Sequence, residues 1–156
     1  MARLDWQKGA GGPWYGIPTE RILFERGFRK AHPLTAIRTG GHGASAIREY
    51  ELILPVPRFE PRLVQIRFAG PQVSPWPQVF ADGPEESPHR FDDQSLCMWF
   101  RADPPSRVWV PWDGLVRLVD HVRLHLIKEA VWRETGRWIG PEVGHQTRKL
   151  RENHDR

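Results

Sequence analysis

The residues with the most chemical potential in this chain lie in one stretch, Pro88-His89-Arg90-Phe91-Asp92-Asp93-Gln94-Ser95-Leu96-Cys97-Met98-Trp99-Phe100. It places the single cysteine after a short polar run that begins with a histidine. A thiol attacks carbonyl carbon as the thiolate, and a nearby imidazole can serve as its base or brace the loop around it. Between Leu96 and Met98, Cys97 also reads as a small buried hydrophobe, which is how most free cysteines behave. Arg90 and Arg101 favour its thiolate, whereas Asp92, Asp93 and Asp103 oppose it or deprotonate an incoming amine. A tetrahedral oxyanion would need donors from a backbone N–H near Cys97, from Ser95 or from His89. A cysteine hydrolase is the weaker reading, since no third group that would orient His89 is identifiable.

Other candidates carry less. His121 and His125 stand four residues apart on a helical pattern, a spacing that can bind zinc. The intervening Val-Arg-Leu lacks the glutamate of a metalloprotease motif, so the pair reads as solvated or partner-facing and no metal is expected. The Gly40-Gly41-His42-Gly43 cluster lacks the Lys and Ser/Thr of a phosphate-binding loop and reads as a flexible connection. Of the 8 tryptophans, Trp76, Trp99, Trp109, Trp112, Trp132 and Trp138 read mostly as cover for the core and adjoining loops. Trp99 first, with Trp109 and Trp112, are candidates for gripping a partner beside Cys97. The net charge of +4 is spread along the chain without a basic stripe, so nucleic acid is not an expected partner.

Elements must position Cys97, and 156 residues suit one α+β domain, with a core over about 19–145 and a polar tail over 146–156. The 15 prolines and 14 glycines favour strands and turns over a helical bundle. After a Gly-rich opening at 9–13, Pro18-Thr19-Glu20 predicts a capped helix over about 19–30 with apolar positions on one side. Pro33 and the segment from Thr39 to Ser45 then read as loop. Residues 47–54 and 63–68 alternate as two adjacent antiparallel strands, and a short strand follows near 78–81. Beyond Val108-Trp109-Val110-Pro111-Trp112, Asp113 is placed to cap a long helix. Its apolar face is Leu115, Leu118, Val119, Val122, Leu126 and Ala130, which should lie across the sheet until Gly136, Gly140 and Pro141 close the helix. The absence of a secretory-type opening, of a second cysteine and of a long uncharged apolar run points to a cytoplasmic protein without a membrane span.

Helix, antiparallel meander, Pro-rich crossing, His-containing loop, Cys, and a Trp-Pro step into a long helix: in that order the chain resembles the ubiquitin-conjugating enzymes. Pro88-His89 stands for the family's His-Pro-Asn segment, Leu96-Cys97-Met98 for the cysteine context and Trp109-Val110-Pro111 for the Trp-x-Pro helix opening. The family asparagine has no match, since Arg90 and Phe91 follow His89. More narrowly, His89-Arg90-Phe91 through Trp99, with Trp132-Arg133-Glu134-Thr135-Gly136-Arg137-Trp138, resembles the stand-alone conjugating proteins of short type II cyclic-oligonucleotide antiphage signalling (CBASS) operons. The resemblance implies a thioester-forming transferase with Cys97 and His89 as catalytic residues and no cofactor. Its donor would be the C-terminus of a cGAS-like nucleotidyltransferase or, as in bacterial operons that also carry a separate activating enzyme, of a ubiquitin-like protein. A conjugating-type scaffold that binds a partner without catalysis is the alternative.

Overall fold

The computed structural model describes residues 13–40, 47–70, 76–100, 103–104 and 106–140. Most of the Gly-rich opening and of the Gly40–Ser45 loop, Arg101, Pro141 and the polar tail lie outside them. The architecture is α+β: a helix, a four-stranded antiparallel sheet and a long second helix.

Helix α1 (Pro18–Ala31) opens with Pro18 in its first turn, where the missing N–H would have had no partner in any case. Ile17 is the N-cap and no side chain caps the helix, so Thr19 lies inside the first turn and is not the cap its position suggests. The helix meets the rest of the chain along a narrow stripe of Phe24, Glu25 and Phe28. Ile22 and Leu23, read as part of an apolar side, are therefore 61% and 68% exposed.

Strand β1 (Ala36–Gly40) takes in Thr39 and Gly40, which the sequence reads as loop. It is an exposed edge strand with no apolar alternation to announce it, and it exists by pairing with β2 (Ile47–Leu54) from Ala36↔Glu51 to Gly40↔Ile47. Strands β3 (Arg62–Phe68) and β4 (Gln78–Ala81) complete the antiparallel order β1-β2-β3-β4. Period two sends Tyr50, Leu52, Leu54, Val64, Ile66, Phe68 and Val79 into the core. On the opposite face Glu49 accepts from Arg67 across the strand pair at 2.7 Å.

Trp109 is fully buried in the same core and donates Nε1–H to the Gly114 carbonyl at 2.9 Å. After the turn Pro111–Asp113, helix α2 (Gly114–Thr135) buries all six apolar residues of its expected face. Asp113 makes no side-chain cap on α2, because its Oδ2 accepts the Val110 N–H at 2.9 Å and closes the preceding turn. Gly114 has φ 75°, and a Cβ there would stand 3.1 Å from the Phe24 ring, so α1 and the start of α2 meet at a point only glycine fits. Gly136 ends α2 in the left-handed conformation and donates to the Trp132 carbonyl at 2.7 Å. Among the described residues no helix is long and apolar enough to cross a membrane.

Candidate functional site

The cysteine segment is tied to the sheet by its backbone and folded back on itself as a small hairpin. Leu96 donates its N–H to Val79 of β4 at 2.7 Å. Phe91 donates to Ser95 at 2.8 Å and Cys97 to His89 at 2.9 Å, with Arg90 and Leu96 bridged between them. The turn needs Gln94 at φ 68°, and Asp93 secures it by accepting the Ser95 N–H at 2.9 Å and the Ser95 hydroxyl. These bonds from Ser95 hold the Asp93 carboxyl below its usual range. In this register His89 and Cys97 stand directly opposite, so their side chains share one face of the small hairpin.

That face opens into a cleft of about 390 Å³. Cys97 and His89 line it together with Trp99, Asp103, His121, His125, Lys128 and Trp138. The sequence leaves His121 and His125 as a solvated or partner-facing pair, and for His125 the structure corrects this, since the residue is only 4% exposed. The chain does carry a signal for it: Leu118, Val122, His125 and Glu129 follow one another at helical spacing, so His125 continues the apolar stripe of α2. Trp138, carried past the end of α2, ties the histidines together, with its ring 4.1 Å from His89 and 5.2 Å from His125. Trp99 lies between Trp76 at 6.5 Å and His121 at 5.6 Å.

The chain matches no protein-family model, no curated protein and no solved structure. Chemistry at this cleft is therefore argued from its own residues.

Cys97 is 5% exposed, and burial, followed by the nearby Asp103 carboxylate, pushes its thiol up to about 11. Arg90 does not offset this. Its guanidinium is held by Glu129, bonding both carboxylate oxygens at 3.0 Å, and by the Ala81 carbonyl at 2.8 Å. Arg62 completes the cluster, 3.1 Å from the fully buried Glu129 and 2.9 Å from Asp82. Burial works to raise the Glu129 carboxyl, but the hydrogen bonds and charges of its arginines leave it lowered. Gly83 roofs the cluster, where a Cβ would lie 2.0 Å from the Arg62 guanidinium.

Ser95 is not available as an oxyanion donor, because its N–H and hydroxyl both hold the turn. The Cys97 N–H is engaged as well. Trp109, the second partner-binding candidate, presents no face to a partner because it is core. Trp112 is 54% exposed, lies 6.4 Å from Phe24 ring to ring, and is not among the residues that line the cleft. Burial and then Arg117 lower His121, which favours its neutral form. Among the described residues no group of three His, Cys, Asp or Glu side chains could hold a metal ion.

Because Asp103 raises the thiol, Asp103→Asn should speed alkylation of Cys97. Asn retains the oxygen that accepts the Phe100 N–H at 2.9 Å, so the loop is kept while the charge is lost. At a pH well below its pKa, the thiol is present as thiolate in direct proportion to its acidity constant. Burial is the larger cause of the raised pKa, so the gain at pH 8 is about 3- to 10-fold. Iodoacetamide kinetics followed by mass spectrometry over pH 7–9.5 measure it. A rate that is unchanged or slower in Asp103→Asn would remove Asp103 as the brake.

Proposed function

We propose that this chain is a bacterial ubiquitin-conjugating-like enzyme that carries a protein C-terminus as a thioester on Cys97 and passes it to an amine. The observation that carries the reading is the placement of Cys97 directly opposite His89 on the wall of a cleft of about 390 Å³. The order α1, four-stranded antiparallel meander, cysteine hairpin, Trp-Pro step and α2 supports the conjugating-enzyme fold as its scaffold.

In the loading step the Cys97 sulfur bonds to the donor's carbonyl carbon while that carbon's bond to the activating enzyme's sulfur breaks. The proton of the Cys97 thiol leaves with the departing thiol. In the transfer step the amine nitrogen bonds to the same carbon, the Cys97 S–C bond breaks, and the amine's proton returns to the sulfur. A thiol pushed up to about 11 is protected from adventitious reaction at rest. Trp99 lies where it can grip the donor tail. The narrower form of the reading takes the cGAS-like nucleotidyltransferase of an antiphage operon as donor, and the broader form takes a ubiquitin-like modifier. A second reading, a partner-binding scaffold without catalysis, is favoured by the same burial and raised pKa of Cys97.

Co-expression with each candidate donor and its activating enzyme separates them. The enzyme reading expects an adduct on Cys97 that reducing agent cleaves, a more durable oxyester in Cys97→Ser, and nothing in Cys97→Ala. An adduct that survives in Cys97→Ala sinks the assignment of the nucleophile. Undiminished function of Cys97→Ala in cells establishes the scaffold.

A further inference from the structure

An acyl group on Cys97 passes through an oxyanion, and two of the donors the sequence offers for it, the Cys97 N–H and Ser95, are engaged elsewhere. The Cys97 N–H bonds the His89 carbonyl at 2.9 Å, and Ser95 gives its N–H and hydroxyl to Asp93. His125 differs. Its Nε2 is shut from solvent and has no hydrogen-bond partner among the described residues. Orphaned buried polar atoms are rare in folded proteins, and one beside a reactive group points to a ligand atom that completes it. The other orphaned buried side-chain atoms among the described residues belong to Glu20, Ser87 and Gln94, none of which lines the cleft, whereas His125 and Cys97 line it together.

We propose that His125 donates through Nε2–H to the oxygen of the acyl group on Cys97, serving as the oxyanion donor of the thioester reaction. The assignment rests on the acyl-transfer reading of Cys97. As the Cys97 sulfur adds to the carbonyl carbon, the C=O pair moves onto oxygen and the Nε2–H bonds to it. Collapse restores C=O and expels the donor's thiolate, which takes the proton that Cys97 gave up.

The neutral imidazole suits this part, because it donates one proton without a buried charge. Burial keeps His125 neutral, pushed down to about 3. Glu129 acts in the opposite sense, while His89, Arg90 and Lys128 reinforce the neutral form. Its ring therefore stays a donor over the whole working pH range. Trp138 meets the imidazole at 64° and 5.2 Å, and because Nε2 is shut from solvent the packing around it has to open for the acyl oxygen to bond there.

The full-length protein is tested with a small acyl donor, the benzyl thioester of N-acetylglycine, with Cys97 acylation followed by mass spectrometry. Wild type is acylated, and His125→Leu is slower by about 10²–10³-fold. His125→Gln, which can place a side-chain N–H near the Nε2 position, returns to within about tenfold of wild type. ¹⁵N spectra of the wild-type imidazoles at pH 7 show His125 protonated at Nε2. A His125 protonated only at Nδ1, or a His125→Leu rate equal to wild type while Cys97→Ala is inert, overturns this assignment and leaves the thioester reading standing. A wild type that resists acylation overturns both.

Discussion

Glu129→Leu is expected to lower the folding stability by about 3–5 kcal/mol, measured as the urea unfolding free energy. The cause is the charge left behind. Arg62 and Arg90 are 8% and 4% exposed in their side chains, and the carboxylate of Glu129, with no exposure of its own, lies between them. Removing it strands two guanidiniums in a poorly solvated site, where their remaining partners are Asp82 and backbone carbonyls. Typical domains have about 5–15 kcal/mol in all, so the variant should be only marginally folded. Glu129→Gln, which keeps the shape and loses the charge, should fall between wild type and Glu129→Leu. Replacing the whole cluster with Arg62→Met, Arg90→Met and Glu129→Leu should recover part of the loss, because the only charge left unpaired is then Asp82, which is 55% exposed and solvated.

The pH dependence follows from the lowered carboxyl of Glu129. A depressed carboxylate contributes its stability above the ordinary carboxylate range and loses it as pH falls through the folded value, so wild type should weaken in acid. The acid limb should flatten in Glu129→Leu. The cleft should also respond, since Arg90 is the residue next to His89 and carries the bridge to Leu96. A Glu129→Leu protein as stable as wild type would show that the cluster contributes nothing net.

Trp14→Ala should cost a comparable amount, about 3–5 kcal/mol. Trp14 is fully buried, stacked on Phe24 at 4.8 Å and set edge-on to Phe68 at 5.5 Å. Its Nε1–H donates to the Pro111 carbonyl at 2.6 Å. One side chain thus clamps the approach to α1, the inner face of β3 and the turn that starts α2. Trp14→Phe keeps most of the ring contact and gives up the indole hydrogen bond, while the Pro111 carbonyl still accepts the Gly114 N–H, so the cost is about 0.5–1.5 kcal/mol. Urea unfolding of both variants gives the two quantities. A Trp14→Ala loss under about 1 kcal/mol, far below the usual cost of deleting a buried tryptophan, would contradict the clamp.

What could be read from the sequence is what repeats with the period of its own element. Burial on β2, β3 and α2 recurs every second residue or every turn, so their residues announce a buried face without reference to anything distant. The polar run before Cys97 could likewise be read as a loop that brings His89 and the thiol near each other. Strand β1 has no such signature, because an exposed polar edge strand is defined by its neighbour and not by its own residues.

The site divides in the same way. Cys97, His89 and Trp99 could be picked out by type and place, and all three line the cleft. His125 is one of two histidines on a helix, and its neutrality comes from the depth at which α2 is packed. Arg90 lies 39 residues from Glu129 in the chain, yet that carboxylate decides that Arg90 braces the hairpin instead of activating the thiol. By itself the sequence determined the candidate nucleophile, the elements on either side of it and the face of α2 turned to the core. Only the tertiary structure decided which charges reach Cys97, because burial and ion pairing depend on partners distant in the chain, and no local pattern encodes them.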